Sequence, residues 1–339
     1  MEHFVGILNY IVFFAITAAT YGILALGLNI QWGNTGLFNI GIAGFYALGA
    51  YTSALISGLP PSAWEGRTFG GFELPFIFGL LGAAVVCGVV ALIIGAPTLR
   101  LRTDYLAIAT IGIAETIRLV LSNEAWLTNG VWGLQQIPAP LYNSIHGATT
   151  RYLHGHPGLP VWLHDLIAKS YDWFYLALVL AVLFILYLIL ERLVRSPWGR
   201  VIRAIREDED ATAMLGKNTF SFKMQALVLG AMIMGIGGSM YAHYARFVSP
   251  ASFKPLYGTF IIWVMLILGG SGNNRGAILG SFTVWGIWAG TDFLTKYLPF
   301  SATQSASLRV ILIAILLEVI LLWRPQGLLP QKKHLSTPK

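Results

Sequence analysis

Apolar stretches long enough to cross a bilayer recur along the whole chain, and this recurrence leaves it few folds to choose from. A membrane helix needs about 20 mostly apolar residues. By that measure the sequence predicts spans at roughly 4–29, 37–57, 75–98, 104–122, 172–194, 224–246, 257–269, 276–297 and 306–323. The expected architecture is an all-α polytopic membrane helical bundle of about nine spans, within a range of eight to ten. The seventh span is short, and the stretch 30–50 has the look of a broken or re-entrant helix. The expected organisation is one transmembrane domain over 1–325 followed by a short tail over 326–339.

Composition supports this reading. Only 11% of residues are charged, against about a quarter in a soluble domain. The net charge of +7 does not point to nucleic acid, because the basic residues flank apolar spans rather than forming one basic face. Arg192, Arg195, Arg200, Arg203, Arg206, Lys217 and Lys223 crowd the segment 191–223. Arg100 and Arg102 precede the fourth span, and Arg324, Lys332 and Lys333 follow the last. With nine spans all three groups fall on one side, which the positive-inside bias makes cytoplasmic. The N-terminus then lies outside and the C-terminus inside. The opening stretch Phe4 to Leu28 is too long for a signal-peptide core and has no basic leader. Cys87, the single cysteine, excludes an internal disulfide framework.

The charged stretch SPWGRVIRAIREDEDATAMLGKN, residues 196–218, stands apart from everything around it. Apolar positions at Val201, Ile202, Ile205, Ala211, Met214 and Leu215 predict one face of an amphipathic helix. Arg203 with Glu207, and Arg206 with Asp210, are spaced for surface ion pairs. Gly216 followed by Lys217 and Asn218 suits a helix C-cap. The acidic run at 207–210 would be repelled by anionic headgroups, so a helix docking into a protein groove fits better than one resting on the membrane.

Two glycine-rich stretches interrupt the spans. QWGNTGLFNIGIAG, residues 31–44, mixes Gly33, Gly36 and Gly41 with Asn39; GGSGNNRGAILG, residues 269–280, offers Gly269, Gly270, Asn273 and Asn274. Backbone that leaves the helix at membrane depth must line a cavity or be buried in protein, and broken helices shape pathways in transporters. These eight residues are the hinge or pathway candidates. Gly276 and Gly280, then Gly286 and Gly290, have the spacing that lets helices pack closely. Glu115 and Glu318 are the mid-span acidic candidates for binding a coupling ion. Glu115, one turn from Arg118, is expected to form a structural ion pair facing the bundle interior, and Glu318 lies within two turns of Arg324.

No phosphate-binding G-x-x-x-x-G-K-[ST] motif is present, so the expected chemistry is transport without a catalytic centre or cofactor in this chain. Any ATP is used by another subunit. His146, His154, His156 and His164 gather in the outer segment 123–171, but no cysteine or acidic cluster completes a zinc site. A solvated loop that caps the outer mouth is expected instead, with no metal.

DATAMLG, residues 210–216, resembles the EAA-x-x-x-G signature of ABC importer permeases, with Asp210 for Glu, Thr212 for the second Ala and no I-x-L-P after Gly216. Residues 27–56, 196–231 and 263–281 resemble the LivM-type permease of branched-chain amino-acid ABC importers far more specifically. The resemblance implies an inner-membrane subunit paired with a LivH-type permease, two ATP-binding cassette subunits and a periplasmic binding protein that delivers leucine, isoleucine or valine. The charged stretch would be the coupling helix, with Arg203, Glu207, Asp210, Ala211 and Gly216 contacting the ATPase. A urea or short-amide permease is the runner-up within that class. A secondary transporter driven by an ion gradient is the alternative outside it.

Overall fold

The computed structural model describes residues 2–62, 66–155, 160, 167–295, 301–323 and 326–330. Helices α1 (Glu2–Leu28), α2 (Ile42–Ser57), α3 (Phe76–Thr98) and α4 (Thr103–Asn123) form the first half. After an outer segment containing α5 (Tyr142–Gly155), α6 (Ser170–Arg195) leads into two short helices, α7 (Pro197–Glu207) and α8 (Glu209–Met214). Then come α9 (Thr219–Ala245), α10 (Ile261–Gly269), α11 (Asn274–Thr295) and α12 (Ala302–Trp323). Among the described residues five stretches are long and apolar enough to cross a membrane: Val5–Asn34, α3, α4, α6 and α9. Ile42–Ser57 and Leu256–Gly269 are shorter apolar helices. Each of the nine expected spans coincides with one of these helices.

The centre of the bundle is the contact of α9 with α2 and α3, flanked by α1 against α9, α6 and α11. Backbones meet there with no side chain between them. A Cβ at Gly49 of α2 would overlap the backbone of Gly235 in α9, and one at Gly27 of α1 would stand 2.8 Å from the Gly230 carbonyl. The pair Gly276 and Gly280 serves the same purpose, pressing α11 onto Gly269 and the Met265 carbonyl of α10. Gly286 and Gly290 do not, since a Cβ at 290 would meet nothing within 4 Å.

Basic residues gather at one end of the bundle. Arg100, in the α3–α4 turn, lies over the Phe220 ring at the start of α9, 6.0 Å from its centroid. Arg324, Lys332 and Lys333 fall outside the described residues. At the opposite end the outer segment folds back onto the end of α9. Leu134 and Val248 exchange backbone hydrogen bonds of 2.9 and 3.0 Å. Arg246, in a left-handed conformation with φ 56°, lies 3.6 Å over the Tyr142 ring of α5. That contact is a cation–π interaction.

Candidate functional site: two broken helices under a charged helix

The charged stretch is two helices rather than one. Asp208 adopts an extended conformation (φ −155°, ψ 108°) and its carboxylate accepts from the Ala211 N–H. It thus caps α8 as an acidic N-cap should. The break separates Arg206 from Asp210, and the side chains take other partners. Arg203 donates to the carbonyls of Gly199 (3.1 Å) and Val194 (3.3 Å), while Glu209 pairs with Lys223 of α9. Gly216 ends the stretch with φ +76°, as expected of a C-cap. Met214 and Leu215, which the pattern placed on a packed face, are instead 88% and 80% exposed. Glu207, Asp210, Ala211 and Gly216 share that exposure.

Beneath α7 the first span breaks. Its last turn widens into a π-helix, Asn29–Asn34, followed by a loop to Gly41. Gly36 turns at φ +78°. Gln31 meets the Leu227 carbonyl, eight residues into α9, so the break lies about 12 Å along that helix. Polar side chains satisfy the freed backbone. Asn34 donates to the Asn29 carbonyl (3.0 Å) and Thr35 to that of Ile30 (2.9 Å). Asn39 donates to Gln31 Oε1 (2.8 Å) and accepts from the Gly41 N–H (2.7 Å). Asn29, Gln31, Asn34 and Asn39 are all fully buried, a concentration that only a hydrogen-bonded network tolerates.

The second break interlocks with the first. Gly270 and Gly272 have φ +111° and +85°, which returns the chain from α10 into α11. The Gly272 N–H donates to Asn29 Oδ1 (2.8 Å), and Asn29 Nδ2 donates to Asn274 Oδ1 (2.9 Å). Asn274 in turn donates to Glu191 of α6 (3.1 Å). Gly269 and Asn273 face another way. The Leu329 N–H donates to the Gly269 carbonyl (3.0 Å), and Asn273 Nδ2 to the Leu329 carbonyl (3.1 Å). From above, the Arg206 guanidinium donates to the Gly33 carbonyl, and its aliphatic stem lies on Gly36. Burial pushes the Arg206 pKa down, but a guanidinium stays charged at any physiological pH.

The Glu115–Arg118 pair forms as expected, through bonds of 2.9 and 2.5 Å. Its position differs from the expectation. The side chains are 40% and 24% exposed on the flank of α4, because Thr110 and Ala114 occupy the face turned to the bundle.

The family described as "Branched-chain amino acid transport system / permease component" matches residues 10–321. The chain belongs to this permease family. It is 33% identical to the high-affinity branched-chain amino acid transport system permease protein LivM of Escherichia coli, over 92% of this chain and 68% of that protein. It is 25% identical to the probable LivM of Methanocaldococcus jannaschii, over 94% and 92%. LivH of Escherichia coli is also similar, at 25% over 92% and 91%. No solved structure matches.

The permease is thus a multi-pass inner-membrane transport subunit for branched-chain amino acids. Its structure adds residues that no pattern in the sequence singled out. His243, fully buried, bonds the Pro138 carbonyl through Nδ1 (2.7 Å) and Ser53 through Nε2 (2.9 Å). The carbonyl can only accept, so Nδ1 carries the proton and Nε2 accepts from the Ser53 hydroxyl. Ser53 then accepts from Ser239 (2.8 Å). This chain ties the outer segment to α2 and α9. His243→Ala is expected to cost about 1–3 kcal/mol, the usual result of leaving buried partners unsatisfied. The check is faster limited proteolysis of residues 129–155 in detergent. His154 and His146 lie on α5, and His146 stacks on Tyr142 at 5.1 Å. His156 and His164 fall outside the described residues. Among the described residues no His, Cys, Asp and Glu group could hold a metal ion.

Proposed function

We propose that this permease forms the solute pathway together with a LivH-type permease. Two ATP-binding cassette subunits on the cytoplasmic side drive it, and a periplasmic binding protein supplies leucine, isoleucine or valine. The charged end of the bundle, with the C-terminus, is cytoplasmic. Residues 196–218 are the docking helix pair, and Glu207, Asp210, Ala211 and Gly216 form its contact face. Arg203 supports that face from behind.

The observation that carries this reading is the bare surface of α8. Two large apolar side chains, Met214 and Leu215, stand exposed beside exposed acids on a short, capped helix fixed to the bundle by the Glu209–Lys223 pair. An apolar anchor ringed by charge is the usual make-up of a docking surface. The two interlocked breaks beneath supply irregular backbone at membrane depth, as transporter pathways require.

The test is co-purification from the native membrane in mild detergent. Asp210→Lys and Leu215→Glu should each lower recovery of the ATPase subunits at least tenfold while the second permease stays bound. Unchanged recovery in both variants overturns the docking face. A chain that purifies alone and moves solute without ATP overturns the importer reading itself.

A further inference from the structure

Among the described residues α3, α4, α6 and α12 present long exposed faces, and the middle of the α4 face is unfit for lipid. On α3 the exposed positions are Ile77, Leu81, Val85, Val89, Leu92 and Ile93. On α6 they include Phe184, Ile185, Leu188 and Ile189. Both faces are what hydrocarbon selects. The α4 face carries Ile108, Ile111 and Leu119, but at its middle stand Gly112, Thr116 and the Glu115–Arg118 pair. Glu115 lies twelve residues from one end of α4 and eight from the other, so the charges sit about 18 Å and 12 Å from the helix ends. Ionisable groups at that depth face a bundle interior or water, not lipid. A Cβ at Gly112 would meet nothing within 4 Å. A glycine costs helix stability, and hydrocarbon gives no reason to keep one there.

We infer that this face of α4 lines the water-filled solute pathway, opposite the second permease, and that Glu115 and Arg118 contact the main-chain charges of the passing amino acid. The inference rests on the importer reading above. Arg118 uses Nε and Nη2 on Glu115, and a guanidinium has five N–H donors. Donors remain for a carboxylate, and carboxylate lone pairs on Glu115 remain for an ammonium. The zwitterion lies along an ion pair of opposite sense, while Ile111 and Leu119 offer apolar surface to a branched aliphatic side chain. Because the pair neutralises itself, it holds the solute weakly. A conduit needs contacts that are weak enough to leave.

The test uses the assembled complex in membrane vesicles. Thr116→Cys, and Val85→Cys on α3 as control, are treated with a charged, membrane-impermeant methanethiosulfonate; native Cys87 is buried. Cysteine at 116 should label at least tenfold faster than at 85. Equal rates overturn the pathway assignment. Glu115→Gln combined with Arg118→Gln should then lower leucine uptake at least tenfold, with unchanged labelling at Thr116→Cys and unchanged recovery of the second permease. Undiminished uptake overturns the contact with solute. Loss of the second permease overturns it too, by making the pair a subunit fastener. If the chain purifies alone, the importer reading fails, while labelling still reports whether α4 faces water.

Discussion

Arg206→Ala is expected to leave the importer assembled but nearly idle, with solute uptake down more than tenfold and ATP hydrolysis still running. The ends of the charged stretch are tied to the chain they continue. Arg203 holds the end of α6 through the Val194 carbonyl, and Glu209 holds α9 through Lys223. Arg206 instead reaches across to the Gly33 carbonyl, 173 residues away in sequence. It therefore joins α7 to the break in the first span, and through Asn29 and Gly272 to the second. A hydrogen bond from a charged donor contributes about 1.5–3 kcal/mol, and 1.4 kcal/mol is a factor of ten in rate. A stroke delivered to α7 would thus lose its route to the pathway rather than its grip on the ATPase. Arg206→Lys keeps the charge but not the planar reach, and should fall between. Paired uptake and hydrolysis assays in proteoliposomes decide the matter. Parallel loss of both would place Arg206 in docking. No change in either would show that the joint transmits nothing.

The parts of this structure that were legible in the sequence are those set by local spacing. Each expected span could be placed on a helix because it carries its own run of apolar residues. The break after α1 was legible from Gly33, Gly36 and Asn39, and the C-cap at Gly216 from its neighbours. What escaped depends on partners distant in sequence. Gly49 and Gly235 pack backbone to backbone, yet neither stands in a spacing that announces the other. His243 drew no attention because its partners, Pro138 and Ser53, lie on two other segments. The charged stretch reads as one helix because apolar residues recur on both sides of Asp208, although at 100° per residue Met214 and Leu215 already lie off the face of Ile202 and Ile205. Side-chain capping of the Ala211 N–H won over continuation, and Thr212 rather than Met214 or Leu215 is the buried residue of α8. Glu115 and Arg118 formed their pair as spacing demands. Which way the pair faces follows from Thr110 and Ala114 packing inward, a tertiary fact.

Gly33→Ala is the substitution expected to damage the permease most for its size. A Cβ at this position would overlap the Gly272 backbone nitrogen and Asn29 Oδ1, the two atoms that bond each other at 2.8 Å. Neither atom is free to retreat. Gly272 sits in a left-handed turn between Gly270, which is packed against the Leu329 carbonyl, and Asn274, which is tied to Glu191. Asn29 is fully buried and also bonded to Asn274. Overpacking a tight site costs about 1–3 kcal/mol, and the displaced hydrogen bond adds about 0.5–1.5 kcal/mol. The expected loss is about 2–4 kcal/mol, read as a fall of several degrees in the thermal midpoint of the detergent-purified complex. Gly290→Ala, where the new methyl meets nothing within 4 Å, controls for the change of residue and should leave the midpoint in place. On the proposal that these breaks serve the pathway as hinges, uptake should fall with stability in Gly33→Ala. A variant with a lowered midpoint and undiminished uptake at low temperature would separate the two roles and leave the interlock a matter of folding alone.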